Sequence, residues 1–217
     1  MKMLGTMAIA SLAALLIPAT AAHADGIGGY IEYSGYADTV DFPGAGKLDQ
    51  DGNRIGVGVT YSTNPQGDHL FNYRLDAGYV HTWDEVGASG TNNWNGFSMN
   101  NAFGFRVFQN SSTRVWIGPA VGLGFDALAD SGPGPDIYTF SIGGGPQIGV
   151  NLATSESLTV AFTAGYQYRY RHVWNTDFDF DDGADGHGSH WLANVAMMFN
   201  TGTVSYTHLT LPTICSV

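Results

Sequence analysis

The chain has 217 residues, a length that predicts one domain. Charged residues make up only 12% of it while aromatic residues reach 13% and glycines number 30, a composition that excludes a disordered chain. The net charge of -11 excludes a nucleic-acid partner, which would need a basic surface, and the absence of an apolar run of about 18 residues argues against a lipid-spanning helix.

Residues 1–24 are predicted to be a cleaved secretory signal peptide. Lys2 supplies a positive start, residues 7–17 are apolar, and residues 22–24 (AHA) match an A-x-A cleavage site. The mature chain is therefore expected to begin at Asp25 and to be exported.

The body of the chain, residues 25–202, repeats one pattern in which a segment of strict alternation is followed by a turn or a loop. Such alternation predicts β-strands whose two faces meet different surroundings. The pattern occurs in eight segments, at residues 28–39, 54–61, 71–82, 97–107, 115–126, 138–151, 158–171 and 191–200.

The two faces of these segments differ in size and polarity. One face carries large apolar side chains, and the other is mostly Gly, Ser, Thr and Asn with a few charges. The solvent face of a soluble sandwich would be rich in Lys and Glu, whereas small polar residues suit the interior of a narrow barrel. Because closure also leaves no unpaired strand edge in lipid, the sequence predicts an all-β, eight-stranded antiparallel up-and-down transmembrane β-barrel.

Aromatic residues at the segment ends are predicted to form girdles at the membrane interfaces. One girdle is predicted to contain Tyr36, Tyr79, Trp83, Trp94, Tyr138, Trp174 and Trp191, and the other Tyr61, Phe71 and Phe199. The connections at 64–68, 110–113 and 153–157 are short and the others longer, as expected if short turns and both chain ends lie in the periplasm.

Two prolines and the C-terminal residues interrupt the pattern. Pro119 and Pro146 each remove a donor from a strand ladder, so a local bulge is expected at each. Residues 204–217 contain no Gly, Asp or Arg, and we expect residues 203–217 to be a non-native or disordered tail. The β-prone residues 203–211 leave open a genuine extra strand.

The eight segments, the signal peptide and the alternating connections resemble the small outer-membrane β-barrel proteins of Gram-negative bacteria, the group of the OmpA transmembrane domain and OmpX. The resemblance implies an outer-membrane location, contact with outer-membrane lipid and lipopolysaccharide, and insertion by the barrel-assembly machinery. It does not imply one activity, because members include adhesion and integrity proteins, narrow channels and lipid A enzymes. We further expect a monomer without cofactors.

Charged residues on the small-residue face are predicted to form a network in the lumen, made of Glu32, Arg54, Arg74, Asp76, Arg106, Asp126, Arg169 and Arg171. Paired charges would plug the barrel, because an unpaired charge in its interior is costly. The alternative is a narrow pore whose excess of arginine selects anions. An eight-stranded interior is just wide enough to be filled by side chains, which favours the plug.

An acidic loop offers a candidate cation site at Asp177, Asp179, Asp181 and Asp185. Alternating carboxylates can surround a hard cation such as Ca²⁺, although the spacing does not match an EF-hand. The alternative is a solvated acidic loop.

Two further alternatives concern function. His187 and Ser189, with Asp185 nearby, would suit a lipid A-modifying hydrolase, but only if the three converge beside an oxyanion donor. We predict instead that the chain is not an enzyme and serves envelope structure or surface interaction, with a narrow passive channel as the first alternative and the hydrolase as the second.

Overall fold

The computed structural model describes residues 25–42, 46–85, 91–129, 136–175 and 183–201. The predicted signal peptide 1–24, the predicted tail 203–217 and the candidate cation ligands Asp177, Asp179 and Asp181 lie outside these residues. Within the described ranges, no helix has the length and apolar character that crossing a membrane requires.

Eight strands account for almost all of the described chain. They are β1 (Asp25–Phe42), β2 (Gly46–Ser62), β3 (Phe71–Glu85), β4 (Thr91–Gln109), β5 (Thr113–Leu128), β6 (Ile137–Ser155), β7 (Leu158–Asn175) and β8 (Ala184–Thr201). Each strand pairs antiparallel with the next, and β8 pairs with β1, so the sheet closes on itself. The predicted all-β, eight-stranded antiparallel up-and-down barrel is therefore confirmed.

The strands are longer than the alternation of apolar residues predicted. β1 continues to Phe42 and β2 already begins at Gly46, so that only residues 43–45 separate them. Polar pairs continue the ladder beyond the apolar segment; Thr39 Oγ1, for example, donates to Asp49 Oδ1 at 2.8 Å. The prediction ended the strands too early because backbone pairing does not require an apolar face.

The connections do not follow the predicted alternation of length. At the end of the barrel where β1 begins and β8 ends, hereafter the termini end, residues 63–70, 110–112 and 156–157 join the strands. At the opposite, distal end, the connections are 43–45, 86–90, 129–136 and 176–183. Residues 63–70 form a connection as long as the longest distal ones, and the distal connection 43–45 has only three residues. The predicted contrast between short and long connections is therefore wrong at both positions.

The large apolar side chains lie on the outside of the barrel. Ile31 is 61% exposed and Val59 is 63% exposed, whereas their strand neighbours Glu32 and Thr60 are buried in the lumen. This alternation repeats along every strand and places polar and small residues inside. The barrel therefore has an apolar exterior around a polar interior, the reverse of a water-soluble protein.

The two prolines keep the strand register. Pro119 and Pro146 lie directly opposite each other in the β5–β6 pair, and the ladders of β4–β5 and β6–β7 are interrupted beside them without a shift. The register shifts lie elsewhere, between Arg106 and Phe108 and between Ala153 and Ser155. The predicted bulges at the prolines are therefore wrong, because each missing N–H only leaves a gap in the neighbouring ladder.

Close backbone approach inside the barrel makes several glycines sensitive to substitution, and Gly118 is one of them. A Cβ on Gly118 would lie 1.9 Å from the Phe103 carbonyl oxygen, whereas a Cβ on Gly29 would meet nothing closer than 3.6 Å. We expect Gly118→Ala to lower the free energy of unfolding by about 1–3 kcal/mol. Gly29→Ala is expected to leave it unchanged or to raise it by about 0.4–1 kcal/mol. Urea unfolding of both variants measures the two changes in free energy. Equal changes for Gly118→Ala and Gly29→Ala would contradict the prediction.

Candidate functional site

The lumen holds most of the charged residues that the sequence predicted for it. Glu32, Arg54, Arg74, Asp76, Asp126, Arg169 and Arg171 are all buried inside the barrel. Their strands alternate small and charged residues on the inward face, and the glycines of that face leave room for long arginine side chains to cross the lumen. The lumen is therefore the strongest candidate for a functional site.

Near the distal end, Arg171 joins three strands. Its Nη1 atom lies 3.6 Å from Asp38 Oδ2 on β1 and donates to Gln50 Oε1 on β2 at 3.1 Å. The guanidinium carbon also lies 4.7 Å from the centre of the Tyr36 ring, a cation–π contact. Asp38, which pairs with Arg171, was not among the predicted lumen charges, although alternation places it on the same face as Glu32.

A second ion pair crosses the lumen below this group. Arg54 Nη2 on β2 donates to Asp126 Oδ1 on β5 at 3.4 Å, and both side chains are buried. Because β2 and β5 are not neighbours, this contact spans the interior.

Arg169 binds a side-chain amide oxygen in place of a carboxylate. Its Nε and Nη2 atoms donate to Gln167 Oε1 at 3.0 Å and 2.9 Å. Gln167 in turn donates to Asn100, and Asn100 donates to Gln147, at 2.8 Å and 3.0 Å. Among the described residues Arg169 forms no ion pair within 4.0 Å.

Glu32 is likewise buried without an ion pair in the described part of the chain. Its Oε1 atom accepts a hydrogen bond from Ser34 Oγ at 3.4 Å. The lumen charges therefore do not all combine into the close pairs that the predicted plug assumed.

Arg74 is the most fully bonded of the lumen arginines. It is 1% exposed, and it donates to Asp76 Oδ1 at 3.0 Å, Thr163 Oγ1 at 2.7 Å and Asn194 Oδ1 at 3.0 Å. Asn194 donates back to Asp76 Oδ2 at 3.0 Å, and Thr60 donates to the same carboxylate. The cluster links β3 to β2, β7 and β8 through the interior of the barrel.

The connection 63–70 folds into the mouth of the barrel at the termini end. Arg114, at the start of β5, holds it there by donating to three backbone carbonyls: those of Asn64 at 2.8 Å, Gly67 at 2.9 Å and His69 at 2.7 Å. We call residues 63–70 the mouth segment. Arg114 was missed because the fifth predicted segment began one residue later, although it shares the inward face with Trp116.

Polar side chains from other strands also bind the mouth segment. Asn151 on β6 donates to the Pro65 carbonyl at 2.9 Å, and Gln66 donates to Thr159 Oγ1 on β7 at 2.8 Å. Arg106, predicted to be a lumen charge, lies at this mouth and is partly exposed. Its Nη1 atom donates to the Asp68 carbonyl at 2.6 Å. Residues 63–70 are thus bonded to four strands around the mouth.

Two of the predicted girdle residues point inward. Tyr36 and Trp94 are buried in the lumen, where both donate to Asp84 Oδ2, at 3.0 Å and 3.1 Å. The Tyr36 ring fills the space above Gly52, whose Cβ would lie 2.5 Å from it. Both residues occupy the same face of their strands as the polar lumen residues, and this position turns their side chains inward. Their assignment to a girdle was therefore wrong.

The other predicted girdle residues at the distal end are on the outward face. Tyr79 and Trp191 are exposed, and Trp83, Tyr138 and Trp174 are partly exposed. Trp83 and Trp191 lie 6.5 Å and 5.4 Å from the Tyr33 ring, and Tyr138 and Trp174 lie 5.9 Å from each other.

Asp185 lies at the distal rim, where it binds neighbouring side chains. His172 Nδ1 lies 2.7 Å from Asp185 Oδ1, and the Tyr170 hydroxyl donates to the same oxygen. These hydrogen bonds lower the pKa of the Asp185 carboxyl below its ordinary value. The described residues contain no cluster of three or more His, Cys, Asp or Glu side chains that could hold a metal ion.

The residues of the hydrolase alternative share the outward face of β8, because Asp185, His187 and Ser189 are two positions apart. The carboxylate of Asp185 binds His172, however, and the His187 ring lies 6.0 Å from the Tyr168 ring. The structure therefore gives the acid of the hypothesised triad a different histidine partner.

Comparison with known proteins finds no matching family model and no matching curated protein. Among solved structures, the outer membrane protein OprG from Pseudomonas aeruginosa is 10% identical, with 80% of this chain and 95% of that chain covered and a TM-score of 0.47. Neisserial surface protein A is 17% identical, with 77% and 97% covered and a TM-score of 0.34. The outer membrane protease OmpT from Escherichia coli is 9% identical, with 84% and 99% covered and a TM-score of 0.38.

Proposed function

We propose that this chain is a non-enzymatic outer-membrane β-barrel with a closed lumen, which serves envelope structure or surface interaction. Contact with outer-membrane lipid and lipopolysaccharide, insertion by the barrel-assembly machinery and a monomeric state are parts of the same proposal. The observation that carries it is the reversed polarity of the closed barrel: apolar side chains outside and charged side chains inside.

The exterior supports a location in lipid. Large apolar side chains are exposed on many strands, among them Ile31 on β1, Val57 and Val59 on β2, Val121 on β5 and Phe162 on β7. A continuous apolar surface of this kind would aggregate in water, whereas in lipid it needs no cover. Because every strand is paired on both sides, no backbone edge is left unsatisfied.

The two ends of the barrel support an orientation. The distal end carries Asp41, Asp49, Asp51, Glu85 and Asp185, and most residues of its two longest connections lie outside the described ranges. We place this acidic end outside the cell, where it offers the surface for interaction. The termini end, closed by the mouth segment, then faces the periplasm.

The lumen supports a closed barrel over a passive channel. Arg54 and Asp126 cross the interior, the Arg74 cluster blocks it at a second level, and the mouth segment occupies one opening. Ions would have to displace all three obstacles. We therefore expect the refolded chain to show no steady conductance in planar bilayers, and stable single-channel steps would favour the channel.

The proposal is tested by expressing the full chain in a Gram-negative host and separating the membranes. We expect the chain in the outer-membrane fraction, and we expect its migration on a detergent gel to change on boiling, because a closed barrel resists the detergent until heated. A matched sample unfolded in urea before loading serves as the control. Identical migration with and without boiling, or solubility without detergent, would contradict the proposal.

A further inference from the structure

A small cavity lies in the distal half of the lumen, between the two ion pairs described above. Its volume is about 20 Å³. Its lining includes Tyr36 and the ionisable side chains of Asp38, Arg54, Asp126, Arg169, Arg171 and His190. They come from β1, β2, β5, β7 and β8, so the cavity is a meeting point for most of the barrel.

Three of these side chains have polar atoms without a hydrogen-bond partner in the described structure. His190 is 2% exposed, and neither of its ring nitrogens is bonded. Asp38 Oδ1 and Arg54 Nε are also buried and unbonded. Leaving a buried polar atom unpaired costs free energy, so three such groups around one cavity indicate that something polar belongs between them.

We infer that this cavity is a binding site for a single ordered water molecule, held by Asp38, Arg54 and His190. A space of roughly 10–15 Å³ is sufficient for one water when two to four polar groups surround it. Water can accept from Arg54 Nε and from a ring N–H of His190, and it can donate to Asp38 Oδ1. It thereby connects the Arg171–Asp38 pair to the Arg54–Asp126 pair.

The lining favours water over a small anion. Three arginines surround the cavity, but Asp38 and Asp126 line it as well, and the unbonded Asp38 oxygen requires a donor. A halide ion has no hydrogen to donate and would lie beside these carboxylates. The unbonded set contains both donors and acceptors, which is the combination that water satisfies.

The test uses two substitutions of His190 in the full chain refolded into detergent micelles. His190→Phe keeps a flat ring but removes both nitrogens, and so deprives the water of a partner. We expect it to lower the folding equilibrium constant by roughly tenfold in urea unfolding, as the loss of a buried hydrogen-bonded group does. His190→Gln keeps one donor and one acceptor and is expected to remain within about threefold of the original chain.

An unchanged or higher folding constant for His190→Phe would overturn the inference, because replacing a truly unbonded histidine with an apolar ring removes a penalty. If His190→Phe does not refold, a crystal structure of the unsubstituted chain, from crystals grown with bromide, tests whether the cavity holds water. One water peak within hydrogen-bond distance of Asp38 Oδ1, Arg54 Nε and a His190 nitrogen, without an anomalous signal, is the expected result. An empty cavity or an anomalous bromide peak would overturn the inference.

Discussion

Replacing Arg114 with alanine is expected to lower the free energy of unfolding by about 3–5 kcal/mol and to release the mouth segment. Three hydrogen bonds run from this one buried guanidinium to the carbonyls of Asn64, Gly67 and His69. A hydrogen bond from a charged donor contributes about 1.5–3 kcal/mol, and the carbonyls would lose their partner together. Urea unfolding of the refolded barrel measures the loss, and limited proteolysis within residues 63–70 measures the release.

Arg106→Ala is the matched control, because Arg106 binds the same segment from the rim. It donates to the Asp68 carbonyl and to Gln109 but is partly exposed, so water can replace it. We expect a loss of at most about 1 kcal/mol. Arg114→Lys should be intermediate, since an ammonium group cannot present the planar fork of a guanidinium. Equal losses for the Arg106 and Arg114 variants would contradict the assignment of Arg114 as the main anchor of the mouth segment.

The number and direction of the strands could be predicted from the sequence because a barrel strand carries its two environments in alternate residues. The pair Glu32 and Ile31 illustrates this, with one side chain in the lumen and the other on the exterior. Strand ends could not be predicted in the same way. At residues 39–42 and 46–49 the apolar face stops while the backbone pairing continues, and pairing leaves no periodic signal of its own.

Lumen residues could be predicted correctly where their positions in the strand alternation were used. They were predicted wrongly where the assignment was based on the type of side chain instead. Tyr36 and Trp94 were assigned to a girdle because they are aromatic, although their positions place them inside with Asp84. The binding of the mouth segment by Arg114 carried no local signal, because Arg114 lies 45 to 50 residues from the carbonyls it binds. The turn within the segment did carry one: Asn64 has a φ of 51°, in the left-handed region that favours Gly and Asn.

Arg74→Met is expected to lower the free energy of unfolding by about 3–5 kcal/mol, because it leaves the Asp76 carboxylate buried without its cation. Both side chains are 1% exposed, and Arg74 Nε lies 3.0 Å from Asp76 Oδ1. Thr60 and Asn194 would still donate to the carboxylate, but they carry no charge to balance it. The measurement is urea unfolding of the refolded chain in micelles of fixed composition.

Combining Arg74→Met with Asp76→Leu is expected to recover part of that loss, because two apolar side chains carry no charge to desolvate, although Thr60, Thr163 and Asn194 lose their partners. The double-mutant cycle should therefore give a coupling energy of at least about 2 kcal/mol between residues 74 and 76. The Arg54–Asp126 pair, at 3.4 Å and with an unbonded Arg54 Nε, serves as the comparison and should couple more weakly. Additive losses at residues 74 and 76 would mean that water reaches this level of the lumen and solvates each charge separately, which would also weaken the case for a closed barrel.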